Sequence, residues 1–295
     1  MADLELLKEL VAFEQYGTLS ATAEHLMITQ PSVTRGMKKL EQELGVPLFN
    51  REVNRITLNE TGKLAAKKAK ELLQAEQDFT EAVINFGHMQ EYINIGSVIP
   101  GPLLYLEDIK DEFNQTLKFN HQLVKPENVV SDLINYKERL IFTDQEILDN
   151  DEVESMFLGI EKLAVKISEF NPLSARESIT YKDLAGQSFL VVNDIGSWKK
   201  IIEGHILDAK FLFQEDLNSL DELTQYSNFP VFRSNLTQSL ENHNTDSGRI
   251  LVPIEDDNNY IEVYGTYLAS QRSIVQPLLK EVAKNWPQNF ENEKK

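Results

Sequence analysis

The sequence predicts an α/β chain with an all-α-rich head, and three observations predict it. Stretches with helical apolar spacing crowd the first 50 or so residues, two of them joined by a tight turn. From Glu60 one long stretch keeps apolar residues seven apart. From Glu91 onward, alternating apolar runs and helical stretches take turns, the grammar of a sheet covered by helices.

Leu4, Leu6, Leu7, Leu10, Val11 and Phe13 predict an amphipathic first helix over residues 3–16, ended by Gly17. Ser20 to Arg51 predicts two helices and a turn. Ser20 is placed to cap the first, whose inner side carries Ala21, Ala23 and Leu26. Thr29 is placed to cap the second, with Pro31 in its first turn, where a missing amide hydrogen is harmless. Val33, Met37, Leu40 and Leu44 recur at helical spacing and point to the core, leaving Gln30, Ser32, Thr34, Arg35, Lys38 and Lys39 on a polar, basic face. Small residues on the first of these helices let the second lie close across it. A helix-turn-helix needs this to push its second helix into a DNA major groove. Gly45 stops that helix, and Leu48 and Phe49 return to the core. Arg51 to Leu58 predicts a two-stranded wing with Glu52-Val53-Asn54-Arg55 at its tip. Arg55 there is placed for a phosphate or the minor groove; the alternative is a solvated loop arginine.

Asn59 is placed to cap a long helix from about Glu60 to Phe86. Its seam has Ala65, Leu72, Phe79 and Phe86 at one position and Ala69, Glu76 and Val83 at the other. Such a seam marks helices that pair; the alternative is packing on the helix's own domain. Gly87-His88 breaks into the next unit. There the spacing predicts a strand through Ile93, Ile95 and Val98, a helix over Leu103–Asn114, a strand over Leu117–Val124, a helix over Asn128–Tyr136 and a strand over Arg139–Thr143. A second block repeats this. Leu158–Ser168 reads as strand, Ser188–Asn193 as buried strand, Trp198–Ile206 as helix, Lys210–Phe213 as strand and Leu217–Tyr226 as helix. Short strands at Val231-Phe232 and Ile250–Pro253 follow, then a strand over Ile261–Ala269 returning toward the first block. A closing helix over Val275–Trp286 and a frayed tail from Pro287 to Lys295 end the chain.

The segment Ser20-Ala21-Thr22-Ala23-Glu24-His25-Leu26, Thr29-Gln30-Pro31-Ser32-Val33-Thr34, Lys38-Lys39-Leu40-Glu41, Leu44-Gly45-Val46-Pro47-Leu48-Phe49-Asn50-Arg51, together with Gly62 after Asn59, resembles the N-terminus of LysR-type transcriptional regulators. It departs from that pattern at Thr22, where Ala is usual, at Gly36 inside the second helix, and at Asn59 in place of a common Thr. Gly36 costs on the order of 1 kcal/mol of helix stability relative to Ala. The match is specific and covers roughly the first third of the chain. The remainder is similar in outline to the family's effector-binding half, which is itself similar to a two-lobed periplasmic solute-binding protein. Phe157-Leu158-Gly159, Asn171-Pro172-Leu173 and Leu184-Ala185-Gly186 carry that likeness. Tyr136 to Phe142 and Tyr226-Ser227-Asn228-Phe229-Pro230 stand where the family has a Gly-x-x-Asp-x-x-Ile run and a Gly-rich run.

The resemblance implies a winged helix-turn-helix DNA-binding domain over 1–59, a linker and dimerisation helix over 60–88, and a periplasmic-binding-protein-like effector domain over 91–295. Lobe 1 would take about 91–160 and 268–295, and lobe 2 about 161–267. It implies a homodimer or homotetramer on double-stranded DNA, a small-molecule effector between the lobes, and RNA polymerase as a further contact. By position in the family motif, Gln30, Pro31, Thr34 and Arg35 approach base edges, while Ser32, Lys38, Arg51 and Arg55 meet phosphates or form the wing. Arg35 is suited to bidentate contact with guanine, worth roughly 1–3 kcal/mol of discrimination. Arg51 has a second reading, a salt bridge that holds the wing.

The net charge of −18 argues at first against nucleic acid, but its distribution reverses that. Residues 30–70 carry nine Lys or Arg against four Glu, a local +5 that leaves −23 for the remainder. Salt screens charges beyond about 8 Å, so a basic footprint on an acidic body still binds phosphates. At 295 residues, 41% of them hydrophobic, the chain predicts two or three units. There is no cysteine, so no disulfide and no thiol redox chemistry, and no apolar run approaches a membrane span. The acidic start, Met1-Ala2-Asp3-Leu4-Glu5, lacks a signal peptide's basic region, and a cytoplasmic location is the simplest expectation.

Catalysis finds little support, and the expectation is a non-enzyme without cofactor or metal. His25, His88, His121, His205 and His243 show no ligand spacing, and no nucleophile elbow or phosphate-cradling loop is present. Ligands of two-lobed domains bind at strand ends and helix N-termini, where unpaired amides favour anions. The candidates are Ser97, Val98 and Gly101 after the first strand, Thr143 and Asp144 after the third, and Asn193, Gly196 and Ser197 from the second lobe. Each has the alternative of a cap or turn residue. Asp144 works against an anionic ligand, and Trp198 is either pocket wall or core. Two rival functions stay open: a constitutive DNA-binding regulator without a working effector site, and an α/β binding protein or enzyme with an N-terminal assembly arm.

Overall fold

The computed structural model describes residues 3–52, 55–88, 91–238 and 248–290, which fall into two compact units, one ending at Ile84 and the other beginning at Asn85. Val53 and Asn54 of the wing tip, His243 and the last five residues lie outside the described set, as does the side chain of His88.

In the first unit, α1 (Leu4–Tyr16) is capped by Asp3 and ended by Gly17 in the left-handed region. Helix α2 (Leu19–His25) starts one residue before the expected cap. Thr18, not Ser20, accepts the Ala21 amide at 3.2 Å, which leaves the Ser20 hydroxyl to reach Gln30 at 3.3 Å. Thr22, one of the departures from the family pattern, is fully buried, and its hydroxyl is satisfied by the Thr18 carbonyl at 2.7 Å. Helix α3 (Gln30–Leu44) has the expected Thr29 cap and ends at Gly45, again left-handed. Val33, Met37 and Leu40 are buried, whereas Leu44, expected inside, is exposed in the last turn. Strands β1 (Phe49–Glu52) and β2 (Arg55–Leu58) pair antiparallel as the wing. Phe49 meets Phe13 edge-on at 5.2 Å, which ties the wing into the core formed by Leu6, Leu7, Leu10, Val33, Met37 and Leu40.

The long helix α4 (Glu60–His88) is capped by Asn59, whose side chain accepts the Gly62 amide at 2.8 Å. Its first turns belong to this same core: Ala66 and Ala69 are buried there, and Lys70 pairs with Glu14 at 2.7 Å. The first unit's core therefore does not stop at residue 59, and the Ala65–Ala69 stretch of the expected pairing seam is spent inside its own unit. The seam residues that stay exposed begin at Leu72 (51% exposed) and continue through Phe79 (71%) and Val83. Phe86, in the second unit, packs edge-on against Tyr136 at 5.1 Å.

The second unit holds two five-stranded sheets. The first has β3 (Ile93–Ser97), β4 (Leu117–Phe119), β5 (Leu140–Thr143), β6 (Val153–Glu161) and β12 (Ile261–Leu268) in the order β4-β3-β5-β12-β6. The second has β7 (Leu163–Ser168), β8 (Ser188–Val192), β9 (Lys210–Gln214), β10 (Val231–Ser234) and β11 (Arg249–Pro253) in the order β11-β7-β10-β8-β9. Helices α5 (Pro100–Asp108) and α6 (Val129–Ile134) serve the first lobe, and α7 (Trp198–His205) and α8 (Leu217–Gln225) the second. Helix α9 (Arg272–Lys284) closes on the first lobe, where Trp286 beyond its end donates to the Ile160 carbonyl at 3.1 Å. Two expectations are corrected. Leu158–Ser168 is not one strand: the chain passes from one sheet to the other at Lys162. The return crossing falls before Ile261, because β12 pairs with β5 and β6, so lobe 1 regains the chain earlier than residue 268. Several helices and strands are also shorter than their apolar spacing predicts, including α5, β4 and α6.

Candidate nucleic-acid interface and ligand cleft

Helix α3 has one face committed and one face open. Opposite Val33, Met37 and Leu40, the side chains of Gln30, Pro31, Arg35 and Lys38 are exposed, and Ser32 and Thr34 are partly so. Their contacts are local. The Ser32 hydroxyl lies 2.9 Å from that of Thr29, Thr34 donates to the Gln30 carbonyl at 3.0 Å, and Arg35 reaches Ser32 at 3.5 Å. Lys38 forms no ion pair among the described residues, while Lys39 sits between Asp3 (3.9 Å) and Glu43 (3.7 Å). Arg55, at the start of β2, is exposed. Gly36 faces the opposite way: a Cβ there would collide with the Glu9 carboxylate of α1, so the missing side chain lets α1 and α3 approach.

Arg51 takes the second of its two expected roles, the salt bridge that holds the wing. Its guanidinium donates to Glu41 at 2.6 Å, and the other Glu41 oxygen accepts the amides of Leu48 (2.8 Å) and Phe49 (3.2 Å). One carboxylate on α3 thus anchors the turn into the wing, and Arg51, though 44% exposed, is held to it. Sequence reasoning places Glu41 in the motif but gives it no role. The clue is its spacing of seven to ten residues from the Leu48–Arg51 stretch.

The second unit has a cleft of about 700 Å³ between its sheets. Of the eight expected ligand residues, only Gly101 and Asn193 line it. Ser97, Val98 and Thr143 are buried in the first lobe. The Ser97 hydroxyl is bound to both backbone groups of Ile99, and the Thr143 hydroxyl to Thr266 (2.8 Å) and to the Gln145 carbonyl (2.9 Å). Asp144 accepts a hydrogen bond from Ser197, so these two join the lobes, and they line a separate shallow hollow with His205, Tyr260 and Glu262. Gly196 (φ 55°) lies so close to the Val98 carbonyl that a Cβ would overlap it. The strand-end reading therefore finds the contact surface between the lobes more than the cavity's lining.

The cleft's buried carboxyl group, Glu161, escapes sequence reasoning. Glu161, at the end of β6, is 2% exposed and lies in the cleft wall against Gly101, whose lack of a side chain makes room for it. Trp198 donates its indole N–H to Glu161 at 3.0 Å, so it serves as both core and wall. Burial pushes the Glu161 carboxyl above the usual carboxylate range, against the pull of its Ser234 and Trp198 hydrogen bonds. Apolar side chains including Leu104, Leu190, Leu217 and Phe232 complete the cavity. Among the described residues there is no cluster of His, Asp or Glu suited to a metal ion, and no helix long and apolar enough to cross a membrane.

Residues 4–63 match the family described as bacterial regulatory helix-turn-helix protein, lysR family. The chain is similar to an uncharacterized HTH-type transcriptional regulator, YybE, of Bacillus subtilis (strain 168), with 26% identity over 185 residues. That stretch covers 59% of this chain and 61% of YybE, so it spans less than two thirds of that relative's length. A full-length OxyR variant from Pseudomonas aeruginosa shares the fold over 99% of both chains at a TM-score of 0.53 and 18% identity. Full-length CbnR in complex with its target DNA does so over 96% of this chain and 99% of its own, at a TM-score of 0.52 and 15% identity. Residues 4–63 thus carry the helix-turn-helix domain of the lysR family, and the chain as a whole shares its fold with full-length OxyR and CbnR.

Proposed function

We propose that this protein is a sequence-specific DNA-binding regulator of transcription, controlled by a small molecule in the cleft of its second unit. The observation that carries the reading is α3: a helix buried along Val33, Met37 and Leu40 that turns Gln30, Arg35 and Lys38 to solvent. Gln30, Pro31, Thr34 and Arg35 approach base edges in the major groove, and Ser32, Lys38 and Arg55 meet the backbone. Two copies pair along α4, where Leu72, Phe79 and Val83 form an exposed apolar stripe, and set two recognition helices on half-sites about one helical turn apart. A ligand shifts the protein between two states only through different affinity for them. The CbnR complex with its target DNA supports the first step by likeness of fold.

The test is a gel-shift selection on genomic fragments, followed by a salt titration. Binding should fall steeply with salt, and Arg35→Ala should relax preference at a defined base pair. Phe79→Asp should leave helicity unchanged but lower the mass in solution and weaken operator binding. A chain that ignores DNA, or that binds with no salt dependence, is instead an assembly or ligand-binding protein.

A further inference from the structure

The N-terminus of α5 points at the cleft, but it is poorly equipped to hold an anion. Pro100 and Pro102 remove two of the first three helical N–H groups, and the Ile99 N–H is already taken by Ser97 at 3.2 Å. The Glu161 carboxylate packs against Gly101, between the two prolines. Any carboxylate entering here meets the Glu161 carboxyl group, with no cationic side chain paired to it among the described residues.

The rest of the lining points the same way. Glu161, Asp194, Glu215 and Asp216 face the cavity, against Arg233 and His121. Arg233 is engaged within its own chain, in part with the Phe232 carbonyl at 3.1 Å, and His121 lies 3.7 Å from Glu107. Glu161 itself accepts from Trp198 and Ser234, yet among the described residues no cationic side chain forms an ion pair with it. Buried carboxylates are normally paired, because desolvation otherwise disfavours their charge. The remaining walls are mainly aliphatic and aromatic, with Asn193, Asn218, Ser234 and Thr237 as neutral polar members.

We propose that the cleft takes a small molecule with an apolar body and a protonated amine, the amine facing Glu161, and discriminates against the corresponding carboxylates. This rests on reading the second unit as the ligand-binding half. A cation supplies the counter-charge that Glu161 lacks, while Leu104, Leu190, Leu217 and Trp198 cover the apolar part.

The experiment uses the full chain and three probes that share one body: 2-phenylethylamine, 3-phenylpropanamide and 3-phenylpropanoate. Binding is followed by calorimetry and by the unfolding midpoint. The amine should bind at least about tenfold more tightly than the carboxylate. Glu161→Gln keeps an acceptor for Trp198 and should bring the two within about threefold. Leu217→Arg adds a cation at a position 44% exposed, where folding is tolerant, and should reverse the order. A carboxylate that binds the wild-type chain as tightly as the amine overturns the proposal. So do the absence of binding by all three at millimolar concentration, and an amine preference indifferent to both variants. Gel shifts on the same preparations separate the two readings: DNA binding retained without amine binding sinks only the ligand class, and loss of DNA binding by the wild-type chain sinks the regulator reading.

Discussion

Glu41 should matter more to the DNA-binding unit than any basic residue near it. Its carboxylate holds the amides of Leu48 and Phe49, both buried, and the Arg51 guanidinium. Glu41→Ala leaves two buried donors without a partner, each costing about 1–3 kcal/mol, so a total loss of about 2–4 kcal/mol is expected after partial rehydration. Arg51→Ala removes an ion pair whose arginine is 44% exposed and a contact of its guanidinium with the Phe49 ring at 5.9 Å, together worth about 0–1 kcal/mol. Both tryptophans, Trp198 and Trp286, lie in the second unit, so their fluorescence does not follow this loss. Hydrogen exchange at Leu48 and Phe49 does: in Glu41→Ala it should run roughly 30- to 900-fold faster, and in Arg51→Ala within about fivefold of wild type. Binding to a random-sequence duplex gives the complementary readout. Lys38→Ala should lower the salt slope by about 0.9 per lost phosphate contact, and Arg51→Ala by much less. Equal loss of slope in the two variants, with unchanged exchange in Glu41→Ala, refutes the assignment of Arg51 to the wing's anchor.

Three further outcomes follow from buried groups. Burial holds Glu138 up to about 7, against the Asn120 hydrogen bond that lowers it and with Asp132 adding to the rise. Its folded value lies above the unfolded one, so the native state binds the extra proton between about pH 4.5 and 7, and stability falls as pH rises through that window. Glu138→Gln should match wild type near pH 5 and exceed it by about 2–3 kcal/mol at pH 8 in urea unfolding followed by tryptophan emission. Gly159→Ala drives a methyl into the indole of buried Trp286, which cannot swing away, and should cost about 1–3 kcal/mol with a red-shifted emission. Gly36→Ala has a softer neighbour, the half-buried Glu9 carboxylate, which can move to water. That variant should therefore gain up to about 1 kcal/mol in thermal unfolding followed by circular dichroism.

The helix-turn-helix was legible because each of its parts is local. Thr29, Pro31, the Val33-Met37-Leu40 stripe and Gly45 all act within one helix, and the fold leaves them where their spacing puts them. Thr18 escaped notice because Ser20 is an equally good cap by type; only the backbone decides between residues two apart. The crossing at Lys162 was hidden for a different reason. Glu161 and Leu163 are buried on either side of exposed Lys162, so the alternation of buried and exposed residues runs through a change of sheet. The ligand cleft was least legible, since strand ends meet either a ligand or the other lobe, and spacing does not separate the two. Pro100 and Pro102 were nevertheless visible, and two missing donors in one helical turn already weaken an anion site.

Helix α4 shows where periodicity stops being informative and residue size takes over. A seven-residue repeat states that a face is apolar, not what covers it. Ala65, Ala66 and Ala69 are small, which permits close approach, and that stretch lies against its own unit. Leu72, Phe79 and Val83 are large and stay exposed, which costs solubility unless a second surface covers them. The change from small to large along one face therefore divides the helix, with its first turns completing a core and its later turns left uncovered, the stretch proposed above to pair with a second copy. A mass in solution equal to one chain at micromolar concentration, for the wild-type protein, contradicts that pairing.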